Sequence, residues 1–235
     1  MKLCSKVHWV IFLVVFSACN LDEGEKDPLL IFSEQYDFSK SDYGWVAGFA
    51  DYPVGPDDSV LYELKYAYTD QPATLLTKKS IMLSGKNLNK DLFMFLKKKI
   101  EGLQPDTEYT ITFNVELASN CSAFSATNPG SLYLKAGAIT TEPKRVIDGA
   151  NYVMNVDKGD NGFTGKDVIS LGNLITPESN AGFTLLNRNN TMANTRYVAK
   201  TSSDGELWLL LGTDSTLAGT TTVFYMRVNV VFSVS

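Results

Sequence analysis

Strict alternation of apolar and polar residues is what most limits the shapes open to this chain. Over residues 107–117, Tyr109, Ile111, Phe113, Val115 and Leu117 alternate with Glu108, Thr110, Thr112, Asn114 and Glu116. Successive side chains of a strand point to opposite faces, so this spacing predicts a strand with one buried and one wet face. The same period predicts a strand over residues 59–68, with Val60, Tyr62, Leu64, Tyr66 and Tyr68 on one face and Glu63 and Lys65 on the other. It also predicts a long closing strand in which Phe224, Met226, Val228, Val230, Phe232 and Val234 alternate with Tyr225, Arg227, Asn229 and Val231. Residues 92–96 (LFMFL) and 207–211 (LWLLL) are instead continuous apolar runs, the pattern of strands covered on both faces.

Turn chemistry separates these runs: Gln104-Pro105-Asp106, Asn128-Pro129-Gly130, Asp148-Gly149 and Asp204-Gly205. The last, set between residues 197–200 and Leu207, reads as a hairpin. No window sustains a helical period over three turns. The expected fold is therefore all-β, an antiparallel two-sheet sandwich with jelly-roll topology. No internal repeat or second low-complexity break interrupts residues 31–235, which are read as a single domain.

The first thirty residues follow other rules. Lys2 and Lys6 precede an apolar run from Val7 to Phe16 that is too short to span a bilayer, and Ser17 and Ala18 stand just before Cys19. That is the layout of a secretory signal peptide, and the small-small-Cys ending resembles the lipobox of bacterial lipoproteins. The resemblance implies cleavage after residue 18, a lipid on Cys19 and a membrane as partner through that anchor. Residues 19–30 are short, acidic and polar, as a tether is. The acidic run behind Cys19 resembles the surface-export signal of Bacteroidota lipoproteins, and it equally fits a plain solvated linker. The expected location is the bacterial cell envelope, at the outer membrane.

Such a cut removes His8, the one histidine of the chain, and Cys4, one of three cysteines. Ser-His-Asp and Cys-His nucleophiles then lack their base, and imidazole-ligated metal is excluded. With Cys19 acylated, Cys121 is the one remaining thiol and is read as a small buried hydrophobe. Loss of Lys2 and Lys6 takes the formal net charge from -5 to -7. That balance excludes nucleic acid, which requires clustered Lys and Arg. The single basic run, Lys97-Lys98-Lys99, is read as a solvated strand end.

Three stretches carry a family likeness: DFSKSDYGW at residues 37–45, GLQPDTEY at 102–109 running into ITFNVEL, and GELW at 205–208 with the strand through Tyr225. They resemble the jelly-roll carbohydrate-binding modules of the family 4/9, galactose-binding-like type. The likeness implies a non-catalytic module that binds glycan or polysaccharide. Those modules place an acidic residue in the last strand beside a structural calcium; Arg227 and Asn229 stand there in this chain, so no calcium site carries over. The stretches GFADYPVG, DLFMFLKK and SLYLKAGA also resemble a family of secreted bacterial proteins.

Sugar recognition needs aromatic faces for C–H-rich ring surfaces and carboxylates or amides for hydroxyls. Trp45, Phe49, Asp51 and Tyr52 supply both within eight residues, and Trp45 reads equally as core packing. Tyr68 and Asp70 form a second candidate pair at a strand end. Arg227 and Asn229 form a third, since an Arg in an apolar strand requires a partner; Asn114 and Glu116 lie on the matching polar face. The loop Asp157-Lys158-Gly159-Asp160-Asn161-Gly162 departs from the EF-hand pattern, because Gly159 stands where an oxygen ligand belongs. It is read as a turn, and no cofactor or metal is expected. The alternatives to glycan binding are a structural or partner-binding subunit of an envelope assembly, its protein partners unknown, or a glycosidase using two of Asp51, Glu63, Asp70 and Glu116.

Overall fold

The computed structural model describes residues 31–55, 58–75, 78–121, 130–175 and 182–235. The expected signal peptide, Cys19 and the tether lie outside the described residues, as does most of the Asn128-Pro129-Gly130 turn. Every described strand pairing is antiparallel.

One sheet has seven strands: β1 (Ile31–Asp37), β4 (Lys65–Asp70), β5 (Lys79–Asn87), β7 (Glu108–Ser119), β12 (Thr184–Asn189), β13 (Val198–Lys200) and β15 (Gly219–Val234). Its two long central strands, β7 and β15, pair with each other. Each is flanked on its outer side by two shorter strands placed end to end, β12 and β13 along β7, β5 and β1 along β15. The second sheet has five strands in the order β11 (Val168–Asn173), β8 (Leu132–Ile139), β14 (Leu207–Ser215), β6 (Leu92–Ile100) and β2 (Val46–Ala50). A small third sheet joins β3 (Tyr52–Pro53), β10 (Asn151–Met154) and β9 (Arg145–Asp148). One helical turn, α1 (Asp58–Leu61), completes the described elements. The all-β sandwich with jelly-roll connections is thus present as expected.

The core lies between the two large sheets. Ile111, Phe113, Val115 and Leu117 of β7, with Val228, Val230 and Phe232 of β15, meet Leu92, Met94 and Leu96 of β6 and Leu207, Leu209 and Leu211 of β14. Each such side chain contributes about 1.5–3 kcal/mol on full burial. The continuous runs in β6 and β14 have the predicted cause. Their alternate residues, Phe93, Phe95 and Leu210, leave the other side of the five-stranded sheet and form a second core with Ala50, Met154 and Val168.

Three expectations are corrected. Residues 59–68 are not one strand: α1 occupies the first part, Glu63 adopts a left-handed φ of 48°, and β4 begins at Lys65. Val60 is exposed and Tyr62 is buried against Tyr52. Asp204-Gly205 makes a turn but not a hairpin, because β13 belongs to the seven-stranded sheet and β14 to the five-stranded one. The turn passes the chain between sheets, and a side chain on Gly205 would strike the Leu103 carbonyl. In β15 a bulge between Tyr225 and Arg227 inserts Met226 and reverses the alternation. Tyr225 is fully buried in the core, while Phe224 lies on the outer face against Phe183, with ring centroids 5.0 Å apart.

Candidate functional site

The outer face of the five-stranded sheet is covered by the chain between β8 and β11. Asp148-Gly149 turns β9 into β10, with Gly149 at φ 56°, and β10 then pairs with Tyr52 and Pro53 of β3. The segment after β10 descends onto the sheet as a closed loop. Asp157 fixes it: its carboxylate accepts the backbone N–H groups of Gly159 and Lys166, each at 3.0 Å. Those bonds hold the Asp157 carboxyl below the usual carboxylate range. The loop points Lys158 down at the sheet.

Lys158 Nζ stands 3.0 Å from an oxygen of Asp51, at the end of β2, and 3.0 Å from an oxygen of Asp214, in β14. It also lies 5.1 Å above the centre of the Phe93 ring. All three charged side chains are nearly out of water. Burial opposes the charged form of Lys158, but the two aspartates outweigh it and hold its pKa above the ordinary value. Asp51 moves up because desolvation exceeds the pull of Lys158. Asp51 also carries a left-handed φ of 62°, an unusual backbone for a residue with a Cβ and one that recurs at functional sites.

Beneath them Lys135 of β8 has no exposed surface, and its Nζ donates to the carbonyls of Phe163 (2.5 Å) and Lys158 (3.1 Å). Burial, with Lys158 nearby, brings its pKa down to about 8. A cavity of about 260 Å³ opens above the cluster, lined by Asp51, Asp91, Val153, Met154, Val156 and the 157–160 loop. Asp91 is exposed as a residue, yet its carboxyl faces this cavity and is pushed up to about 6, first by desolvation and then by the charge of Asp51.

This arrangement offers carboxylate acceptors, an ammonium donor and an aliphatic wall within one concavity. Those are the groups that bind a polyhydroxylated ligand. Among the described residues no group of three or more carboxylate, thiol or imidazole side chains is placed to hold a metal ion. The Cys121 thiol is buried, which raises its pKa and disfavours a nucleophilic thiolate.

Of Trp45, Asp51, Tyr52, Tyr68, Asp70, Arg227 and Asn229, Asp51 alone reaches this cavity, where it meets residues 157–160 of the loop read as a turn. Tyr52 is buried behind it, packed at a tilt between Tyr62 and Tyr152, with its hydroxyl taking a hydrogen bond from Arg145. Trp45 is also buried, edge-on to Tyr36 and Phe38. Neither ring presents a face to a ligand. Tyr68 lies half-buried on β4, and Asp70 at its end is exposed and pairs with Lys79 at 3.1 Å. Arg227 sits on the outer face of the other sheet, 3.0 Å from Glu116, with Asn229 opposite Asn114 one row on. Glu116 also lines a groove of about 360 Å³ with Leu185, Asn187 and Met226. The seven residues therefore do not share one groove. The Lys97-Lys98-Lys99 run is engaged rather than merely solvated: Lys97 pairs with Glu142, Lys98 donates to the Tyr43 carbonyl, and Lys99 pairs with Glu206.

Asp91, Lys135 and Asp214 fall in no binding motif of the sequence, and Lys158 stands in a stretch that reads as a turn. A signal existed for two of them, a lone charge inside an apolar strand: Lys135 in LYLKAGA and Asp214 in LWLLLGTDS.

A second cleft, of about 380 Å³, lies on the other side of the β9–β10 hairpin, between β2 and β9. It is lined by residues 46–49 of β2, Phe95, Lys97, Lys144 and Arg145.

No protein-family model matches the chain, and no curated protein matches it. Solved structures similar to it include the carbohydrate-binding module TmCBM27, described by its specific mannan recognition, at 9% identity over 86% of this chain and 98% of that one, TM-score 0.39. Another is the CBM22-1 xylan-binding domain of Paenibacillus barcinonensis Xyn10C, at 12% identity over 86% and 94%, TM-score 0.37. A third is the enzymatically active domain of bacteriophage CBA120 tailspike protein 4, at 11% identity over 81% of this chain, TM-score 0.37. The match spans 20% of that tailspike chain. None of the residues above takes a role from these likenesses.

Proposed function

We propose that this protein is a non-catalytic, glycan-binding lipoprotein of a bacterial cell envelope, anchored through Cys19. The observation that carries the binding half is the cavity in which Asp51, Asp91 and Lys158 converge beside Val153, Met154 and Val156. Carboxylates accept hydroxyl hydrogens, the ammonium donates, and the aliphatic wall meets the C–H surface of a ring. The anchoring half rests on the lipobox-like ending at Cys19.

Affinity electrophoresis in gels containing neutral or acidic polysaccharides tests the first half. At least one polymer slows the native protein, and Asp91→Ala weakens that retention about tenfold, the worth of one hydrogen bond to a charged group. Retention by none, or retention untouched by Asp91→Ala and Asp51→Asn alike, overturns the reading. Mass spectrometry of the mature protein tests the second half: a diacylglyceryl-modified Cys19 is expected, and an intact Met1 would count against it.

One observation favours a second reading. Asp51 and Asp91 share a cavity, and Asp91 near 6 has the character of a general acid. A carboxylate-pair glycosidase would release reducing ends from a polymer that the gels identify. The ion pair that ties Asp51 to Lys158 leads us to expect none.

A further inference from the structure

The cleft between β2 and β9 differs in charge from the rest of the molecule. The chain is acidic, with a formal net charge of -5, yet Lys97, Lys144 and Arg145 all line this one concavity. Lys97 is neutralised by Glu142 at 2.6 Å, which holds the Glu142 carboxyl below its ordinary range. Lys144 adds its charge to the same Glu142 carboxyl, and neither Lys144 nor Arg145 forms an ion pair of its own among the described residues. The cleft therefore sets three cations against the one carboxylate of Glu142 and keeps an excess of positive charge.

Arg145 is also held in place. Its guanidinium lies over the Tyr152 ring, 4.4 Å from the centroid, and one of its N–H groups donates to the Tyr52 hydroxyl. A guanidinium has five N–H donors in a rigid plane that matches a carboxylate two bonds at a time. Stacking on Tyr152 and bonding to Tyr52 fix that plane in advance, so a ligand loses less freedom in engaging the remaining donors. Below it Phe95 is buried and rests directly on Gly48, where a Cβ would overlap its ring, so the chain of β2 lies close over the second core. A planar carboxylate fits the donors that remain on Arg145, with the charge of Lys144 beside it.

We infer that this cleft receives the carboxylate of a uronic-acid residue, so that the ligand is an acidic glycan. The inference rests on the glycan-binding reading above and adds the substrate class. The two concavities flank one hairpin, since Arg145 of this cleft pairs across it with Met154 of the aspartate cavity. A glycan reaching both would place its carboxylate against Arg145 and uncharged hydroxyls against Asp51 and Asp91. Elsewhere the protein's negative charge repels a polyanion, so retention by one requires a local site.

The test is affinity electrophoresis in gels of polygalacturonate, hyaluronan, carboxyl-reduced forms of both, dextran sulfate and neutral dextran. Retention is expected in at least one of the two carboxylated polymers and is lost in its carboxyl-reduced form. Arg145→Gln reduces it about tenfold or more, and Lys144→Gln, an exposed change outside the core, reduces it in the same direction. Retention that survives carboxyl reduction, that both variants leave unchanged, or that occurs in dextran sulfate alone overturns the inference. So does its absence from both carboxylated polymers. Binding confined to neutral polymers overturns the acidic class and leaves the glycan reading standing; binding to no polymer removes both.

Discussion

Lys158 and Asp214 meet at 3.0 Å, although the first comes from the covering loop and the second from the centre of the five-stranded sheet. This contact, with its partner at Asp51, fastens the loop to the sheet. Both carboxylates would be left buried and uncompensated without the ammonium.

Lys158→Met is therefore expected to destabilise the protein by about 3–5 kcal/mol, the usual result of removing one side of a buried ion pair. Urea denaturation followed by tryptophan fluorescence measures it. Adding Asp51→Asn to that variant is expected to recover part of the loss, because contacting residues are not additive. A loss below about 1 kcal/mol would show the loop is held by other contacts.

Asp91 links stability to pH. Its carboxyl rises from an ordinary 3.8 to about 6, so between those values the folded protein keeps a proton that the unfolded chain releases. Stability therefore falls as pH rises from about 4 to about 6, and the unfavourable contribution persists at pH 7. Asp91→Asn is expected to be more stable than the native chain at pH 7 and to lose that advantage near pH 4. Urea midpoints across that range read the difference.

Gly212 lies under the Phe93 ring, where an added Cβ would overlap it. The ring is confined in turn by Phe95, stacked at 5.8 Å, and by Lys158 above. Gly212→Ala is expected to lose about 1–3 kcal/mol through overpacking. Adding Phe93→Leu should restore room and recover part of it, which thermal unfolding of the pair would show.

Tyr197 enters from the seven-stranded side and ends against the other sheet. Its hydroxyl accepts the Ala138 N–H at 2.8 Å and donates to the Asp167 carbonyl at 2.7 Å. Burial pushes its pKa up to about 12. Tyr197→Phe keeps the ring and leaves the Ala138 N–H buried without that partner, for an expected loss of about 1–3 kcal/mol. Hydrogen exchange at Ala138 and Val168 should quicken together if the hydroxyl pins the foot of the covering loop.

Much of the fold was legible because it follows from local spacing. The alternation in β7 placed Ile111, Phe113, Val115 and Leu117 in the core, and the unbroken runs of β6 and β14 announced cover on both faces. The reading failed where one residue shifts the phase. Met226 sits in a bulge that period-two counting cannot register, so Phe224 and Tyr225 exchanged faces. Of the candidate site only Asp51 was legible, as an acid in an aromatic loop. Trp45 and Tyr52 share that loop but are buried, because aromatic rings serve a core and a binding face equally well.

By itself the sequence determined that β6, β7, β14 and β15 are strands, which of them are covered twice, and that a chain cut before Cys19 would have no imidazole. Each of these depends on residue type and near-neighbour spacing alone. Only the tertiary structure decided the site, since Asp51, Asp91, Lys158 and Asp214 come from segments up to 163 residues apart that the sandwich folds together. It also decided their chemistry. Desolvation and the charges of neighbours set whether a carboxyl titrates near 6, and neither exists until the loop has closed over the sheet.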